Sequence, residues 1–206
     1  MRYDAQMMIS TSTDAEALRA EIAALAARMI AEDGADYGSA KRRAAKQLLG
    51  NQKIRGDVLP DNSQVELEVR EYNALFFGDS QPQRLLALRE IALDVMQKLD
   101  KFNPYLVGAV FNGTANKHSD IYLHLYTDNS KEVAIFLLNM NIQYEISEST
   151  NKRNETMETL SFMNQNEGVH LLIHSHDDLR ASPRADRASF SALKRLIEQP
   201  QTNSDL

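Results

Sequence analysis

Residues 113–128 read GTANKHSDIYLHLYTD, and from the aspartate onward they alternate strictly. Ile121, Leu123 and Leu125 are apolar, while Asp120, Tyr122, His124 and Tyr126 fall between them. Successive side chains of a β-strand point to opposite faces, so this run predicts a strand over 120–126 with one face in a core. The other face then looks toward solvent or a cleft. The same reading of VHLLIHSH, residues 169–176, sets Val169, Leu171 and Ile173 against His170, Leu172, His174 and His176. All five histidines lie between 118 and 176.

Around these two strands, β-type runs occur at 106–111, 142–146 and 157–164, with a helical insertion at 130–139. A last helix is predicted over 188–199, after the connector ASPRADRAS, and Asp177-Asp178 reads as a turn. Before Asn103-Pro104 the period is helical instead. Thr13 and Glu16 have capping-box spacing ahead of Leu18, Ile22, Leu25, Met29 and Ile30, a run closed by Gly34. Further helices are predicted at 38–49, at 62–77 and at 81–102. The expectation is an α+β protein: a helical N-terminal region, 1–103, then an α/β region, 104–206, with a small mixed sheet and flanking helices.

The 206 residues suffice for one large domain or two small ones, and a hydrophobic content of 43% is enough for a core. Lys and Arg number 23 against 29 Asp and Glu, a formal charge of -6, so any contact with nucleic acid must be local. The absence of cysteine excludes disulfides, thiolate-bound zinc and cysteine nucleophiles. With no sustained apolar stretch, the expected location is cytoplasmic, away from membranes. The sequence has no Gly-x-Ser-x-Gly elbow, no GxGxxG and no Gly-Lys-Ser/Thr loop. Length and motifs likewise speak against an ATP-dependent ligase of the UDP-N-acetylmuramate–alanine type.

Gly113-Thr114 followed by Ser119-Asp120-Ile121-Tyr122-Leu123 resembles the signature of the DNA polymerase β-like nucleotidyltransferase superfamily, as a divergent bacterial-type member. In that family a strand ends in a Gly-Ser-type turn and the next strand presents Ser-Asp-Ile-Asp-Leu. A helix and a strand bearing a third carboxylate follow, matched here by 130–139 and by Ile142-Gln143-Tyr144-Glu145-Ile146. The resemblance covers residues 104–175. It implies transfer of a nucleoside monophosphate from an NTP to a hydroxyl of RNA, protein or a small molecule, with carboxylates holding Mg²⁺ or Mn²⁺. Carried over by position, Gly113 and Thr114 cradle phosphate, with Ser119, Tyr122 and His124 beside the nucleotide. Asp120 and Glu145 are then the metal-binding, catalytic acids.

Two departures stand out. The spacing from turn to aspartate is short, and Tyr122 occupies the second carboxylate's place, where a neutral phenol is a poor Mg²⁺ ligand. The alternative is therefore a catalytically degenerate nucleotide- or RNA-binding module of the same fold. Residues 37–56 hold Lys41, Arg42, Arg43, Lys46, Lys53 and Arg55 and no acid, a pattern that can track phosphates or simply face solvent. The pair His174 and His176, with His170 or His124, has zinc-ligand chemistry, although exposed or hydrogen-bonded histidines are the simpler expectation.

Overall fold

The computed structural model describes residues 3–50, 58–150, 156–181 and 186–198, the side chains of residues 3–14 and of Ala181 excepted. The architecture is α+β, with eight α-helices and a five-stranded mixed sheet among the described residues. Two compact units divide the chain. The first comprises residues 1–81 with 116–118, and the second comprises 82–115 with 119–206.

Among the described residues, the first unit is built of three helices: α1 (Tyr3–Asp33), α2 (Tyr37–Leu49) and α3 (Asn62–Phe76). Ile22, Ala23, Ala26, Ala27 and Ile30 of α1 meet Ala40, Ala44 and Ala45 of α2 and Val65 and Val69 of α3. The alanines among them let helix backbones approach closely and lose no side-chain entropy on burial. Asp36 caps α2 by accepting from the Ser39 amide, and Asp61 with Gln64 forms a reciprocal capping box on α3. Thr13 is not the start of the helix, since α1 runs through it from Tyr3. The segment Asn116–His118 belongs to this unit. The Asn116 side chain donates to the Ile30 carbonyl at 2.9 Å, and the His118 ring bonds the Glu32 carbonyl at 2.9 Å. Gly34, at φ 69, permits that approach, since a Cβ there would stand 2.6 Å from the Cβ of His118.

The second unit opens with α4 (Gln81–Lys98) and a 3₁₀ turn (Asp100–Phe102). Then come β1 (Tyr105–Val107), α5 (Gly108–Asn112), β2 (Ile121–Tyr126), α6 (Ser130–Asn139), β3 (Glu145–Thr150), β4 (Thr156–Asn164), β5 (Glu167–His174), α7 (His176–Ala181) and α8 (Phe190–Glu198). Spatial order is β1-β2-β5-β4-β3, with β2 and β5 parallel and every other pair antiparallel. Ile121, Leu123 and Leu125 are fully buried, as their alternation predicts. They share a core with Val169, Leu171, Leu160 and Phe162 of the sheet and with Leu88, Val95 and Met96 of α4, Val133 and Leu137 of α6 and Leu193 of α8. Each such side chain contributes roughly 1.5–3 kcal/mol by leaving water. No described helix is long and apolar enough to cross a membrane.

Candidate functional site

The face of the sheet opposite this core carries the polar residues, and the strand register determines which of them meet. Tyr122 of β2 pairs with His170 of β5, His170 with Ser161 of β4, and Ser161 with Glu145 of β3. Paired residues in neighbouring strands project to the same face, so these four form one row. Asp120 stands at the entry to β2, and its Oδ2 lies 3.1 Å from His170 Nε2. On the other side of the ring, His170 Nδ1 lies 2.8 Å from Ser161 Oγ. A carboxylate accepts, so Nε2 carries the proton toward Asp120 and Nδ1 is left to accept from the Ser161 hydroxyl. The Tyr122 ring stacks on His170 with centroids 4.6 Å apart. Burial first, and then the nearby Asp120 charge, push the Tyr122 phenol up from its ordinary value.

Two further residues shape the surroundings of Asp120. A Cβ at position 168 would stand 2.7 Å from Cγ of Asp120, so a side chain there would push this carboxylate out of its present position. Arg84 of α4 forms a two-pronged ion pair with Glu167 at the start of β5, its second arm spanning 2.6 Å, and its charge also acts on Asp120.

Farther along β2 the same face is closed. The expectation that Tyr126 looks outward fails: it is fully buried, stacked on His174 and edge-on to Tyr105. Arg187 donates to the Tyr126 hydroxyl at 2.6 Å and to the Leu179 carbonyl at 2.8 Å. His124 faces His174 with ring centroids 4.3 Å apart. Burial above all, then the charges of His174 and Arg187, depress His124 to about 4. Burial also lowers His174.

The strand order separates the two expected metal-binding acids. Glu145 begins the edge strand β3, three strand steps from β2. At about 4.8 Å per step that is roughly 14 Å, whereas Mg²⁺ grips its oxygen ligands at about 2.1 Å. Asp120, moreover, is engaged by His170. These residues do not fit a divalent ion shared between positions 120 and 145. Nor do the described residues contain any group of three His, Asp or Glu placed to hold a metal, the four candidate zinc histidines included. The His176 amide donates instead to Asp128 at 3.0 Å.

The Gly113-Thr114 turn is likewise committed to its own surroundings. Gly113 C-caps α5 at φ 86, and its N–H donates to the Ala109 carbonyl, as does that of Ala115. The Thr114 N–H and hydroxyl both donate to Asn112 Oδ1, and Thr114 is buried. These donors are therefore already engaged within their own turn. The glycine that directly follows β1 is Gly108, at φ 70, with Ala109 after it. Ser119 links the Asn116–His118 segment to Asp120.

On α2, Ala40, Ala44 and Ala45 face the core, and Arg42, Arg43 and Lys46 are exposed. Lys41 turns back onto the Pro60 carbonyl and the Asn62 side chain. Arg43 makes one loose pair with Asp33 at 3.9 Å, both side chains being more than half exposed. Lys53 and Arg55 lie outside the described residues. Sequence reading misses Ser161, Gly168, Arg84 and Arg187 as parts of these clusters. No spacing rule joins position 161 to position 120; only the β4–β5 and β2–β5 registers together do.

Among known proteins, no family model matches the chain and no curated protein matches it. One similar solved structure is that of the GLD-2/RNP-8 complex, at 18% identity and a TM-score of 0.28, covering 49% of this chain. The matched part spans 43% of that chain.

Proposed function

We propose that this chain is a binding module on a nucleotidyltransferase-like sheet, that it has lost nucleotide transfer, and that it holds RNA phosphates on the exposed basic side of α2. The surroundings of Asp120 carry the proposal. Where a transferase would direct paired carboxylates at a metal, this carboxylate accepts from His170, the neighbouring position is a tyrosine stacked on the same ring, and Glu145 lies three strands away. Ala109 after Gly108 adds to this, since the resemblance calls for a hydroxyl residue in the turn that ends the preceding strand. Arg42, Arg43 and Lys46 supply the binding face: three cations within five residues of one helix, the opposite side of which is buried alanine.

Two measurements test the proposal together. Incubation with α-³²P-labelled NTPs, Mg²⁺ or Mn²⁺ and total RNA is expected to give no label transfer. Fluorescence anisotropy with a single-stranded RNA is expected to give binding that Arg42→Ala/Lys46→Ala weakens by about tenfold or more. Transfer that Asp120→Ala abolishes would instead establish a divergent nucleotidyltransferase. RNA affinity untouched by the double substitution would remove α2 from the interface.

A further inference from the structure

The hydrogen-bonded chain on the open part of the sheet has a chemistry of its own, independent of α2 and of RNA. A nucleophile, a base within hydrogen-bond reach of it and a third group orienting the base are the parts of an activated serine, recognised by geometry rather than by motif or chain order. Here the separations are 2.8 Å from Ser161 Oγ to His170 Nδ1 and 3.1 Å from His170 Nε2 to Asp120 Oδ2. The order of bonds leaves one consistent tautomer, with Nε2–H donating to Asp120 and Nδ1 free to take the serine proton. Tyr122, stacked on the ring, and Gly168, which admits the carboxylate, fix the imidazole plane and its partner. Neither end of the chain is sealed, because Ser161 is half-buried and the Asp120 side chain is 45% exposed.

We propose that Ser161, His170 and Asp120 form an acyl-transfer site that hydrolyses small esters bearing no negative charge. Ser161 Oγ attacks the ester carbonyl while its proton passes to His170 Nδ1. The bond to the alcohol breaks, and His170 returns the proton to the departing oxygen. Water then attacks the acyl-serine, giving one proton to His170, and that proton returns to Ser161 Oγ as the acid leaves. Asp120 is a positioning residue that accepts the Nε2–H throughout. Substrate charge is set by Glu145, which pairs with Ser161 across β3 and β4 and is exposed on the same face. Cross-strand partners stand about 5 Å apart, so a carboxylate there repels anionic substrates and tolerates neutral or cationic ones.

The test uses the full chain with a fluorophosphonate probe, which a serine oxygen attacks at phosphorus with loss of fluoride. Mass spectrometry is expected to find the adduct on Ser161, absent in Ser161→Ala and formed about 100-fold more slowly in His170→Gln. Asp120→Asn is expected to slow labelling and to move its pH profile, which loss of a merely structural contact would not do. Hydrolysis of p-nitrophenyl acetate should exceed that of the anionic p-nitrophenyl hydrogen succinate, and Glu145→Gln should narrow the difference. As a check independent of the His170 variants, the Ser161→Cys protein, which then holds its single thiol beside His170, should react with iodoacetamide at pH 6 faster than free cysteine does. An adduct elsewhere, no adduct, equal labelling of a folded His170→Gln protein, or a Ser161→Cys protein that reacts no faster than free cysteine would overturn the proposal.

Discussion

At Gly168 the structure makes a prediction whose sign depends on a single neighbour. Glycine-to-alanine changes at ordinary backbone angles stabilise a protein by about 0.4–1 kcal/mol through the unfolded chain. Gly168 has no positive φ, yet its added methyl would meet Asp120 at 2.7 Å, so the carboxylate must swing off His170. Gly168→Ala is therefore expected to cost about 1–2 kcal/mol by urea denaturation. In an Asp120→Ala background the same change should be neutral or stabilising, and simple additivity between the two would contradict the contact. His124 supports a second prediction at this scale. Its folded value, about 4, lies below the ordinary 6.5, so the unfolded chain binds the proton more tightly. The corresponding stability is complete above pH 6.5 and is lost as pH falls toward 4, a total on the order of 3 kcal/mol. His174, also depressed, adds in the same direction. His124→Phe keeps a ring beside His174 and Tyr126 but cannot titrate. It should lose less stability than the native chain between pH 7 and pH 4.5, and equal losses would show that His124 does not carry the effect.

Single elements show what the sequence discloses and where it falls silent. Helix α6 spans the residues its period predicts, Ser130–Asn139, and β2 begins one residue after Asp120. Both are long relative to their signals, and both bury one face. The run 106–111 is equally apolar but divides into β1 and α5, because Gly108 turns the chain at φ 70 and the next residues close a helical turn. Helix α4 ends at Lys98, and a 3₁₀ turn takes over the last apolar positions that prolong its pattern. Edge strand β3 starts later than the apolar run at 142–146 predicts. Ile142 and Tyr144 carry that apolar signal, yet they pack from a loop. The strand itself, Glu145–Thr150, is exposed at every residue and so has no alternation to read. Asp177-Asp178 lies in helix α7 rather than in a turn; at six residues the helix is too short for a period to show. The capping box on α3 lends itself to measurement: Asp61→Ala should cost about 1 kcal/mol and Asp61→Asn only a few tenths, as read from hydrogen exchange of the first-turn amides of α3. Equal effects of the two substitutions would mean that charge, rather than the cap hydrogen bond, matters.

For the whole molecule, charge sets the terms on which any polyanion is met. The formal charge is -6 and the sequence pI about 5.4, so the net charge opposes a polyanion at neutral pH, and the proposed RNA contact at Arg42, Arg43 and Lys46 has to act locally. Few phosphates can then be neutralised. Three contacts on a single strand give a slope of log affinity against log salt of about −2, and each cation removed should lessen it by about 0.7. The repulsive body adds a second, separable dependence. Lowering the pH from 8 toward 6 brings the chain nearer its isoelectric point without discharging arginine or lysine, so affinity at fixed low salt should rise. At high salt, where the Debye length shrinks to a few ångströms, that pH effect should fade. Anisotropy titrations over both variables distinguish this pattern from a broad basic surface, which would show a steep salt slope and no gain on acidification. A slope steeper than about −4 would place the RNA on more of the protein than α2.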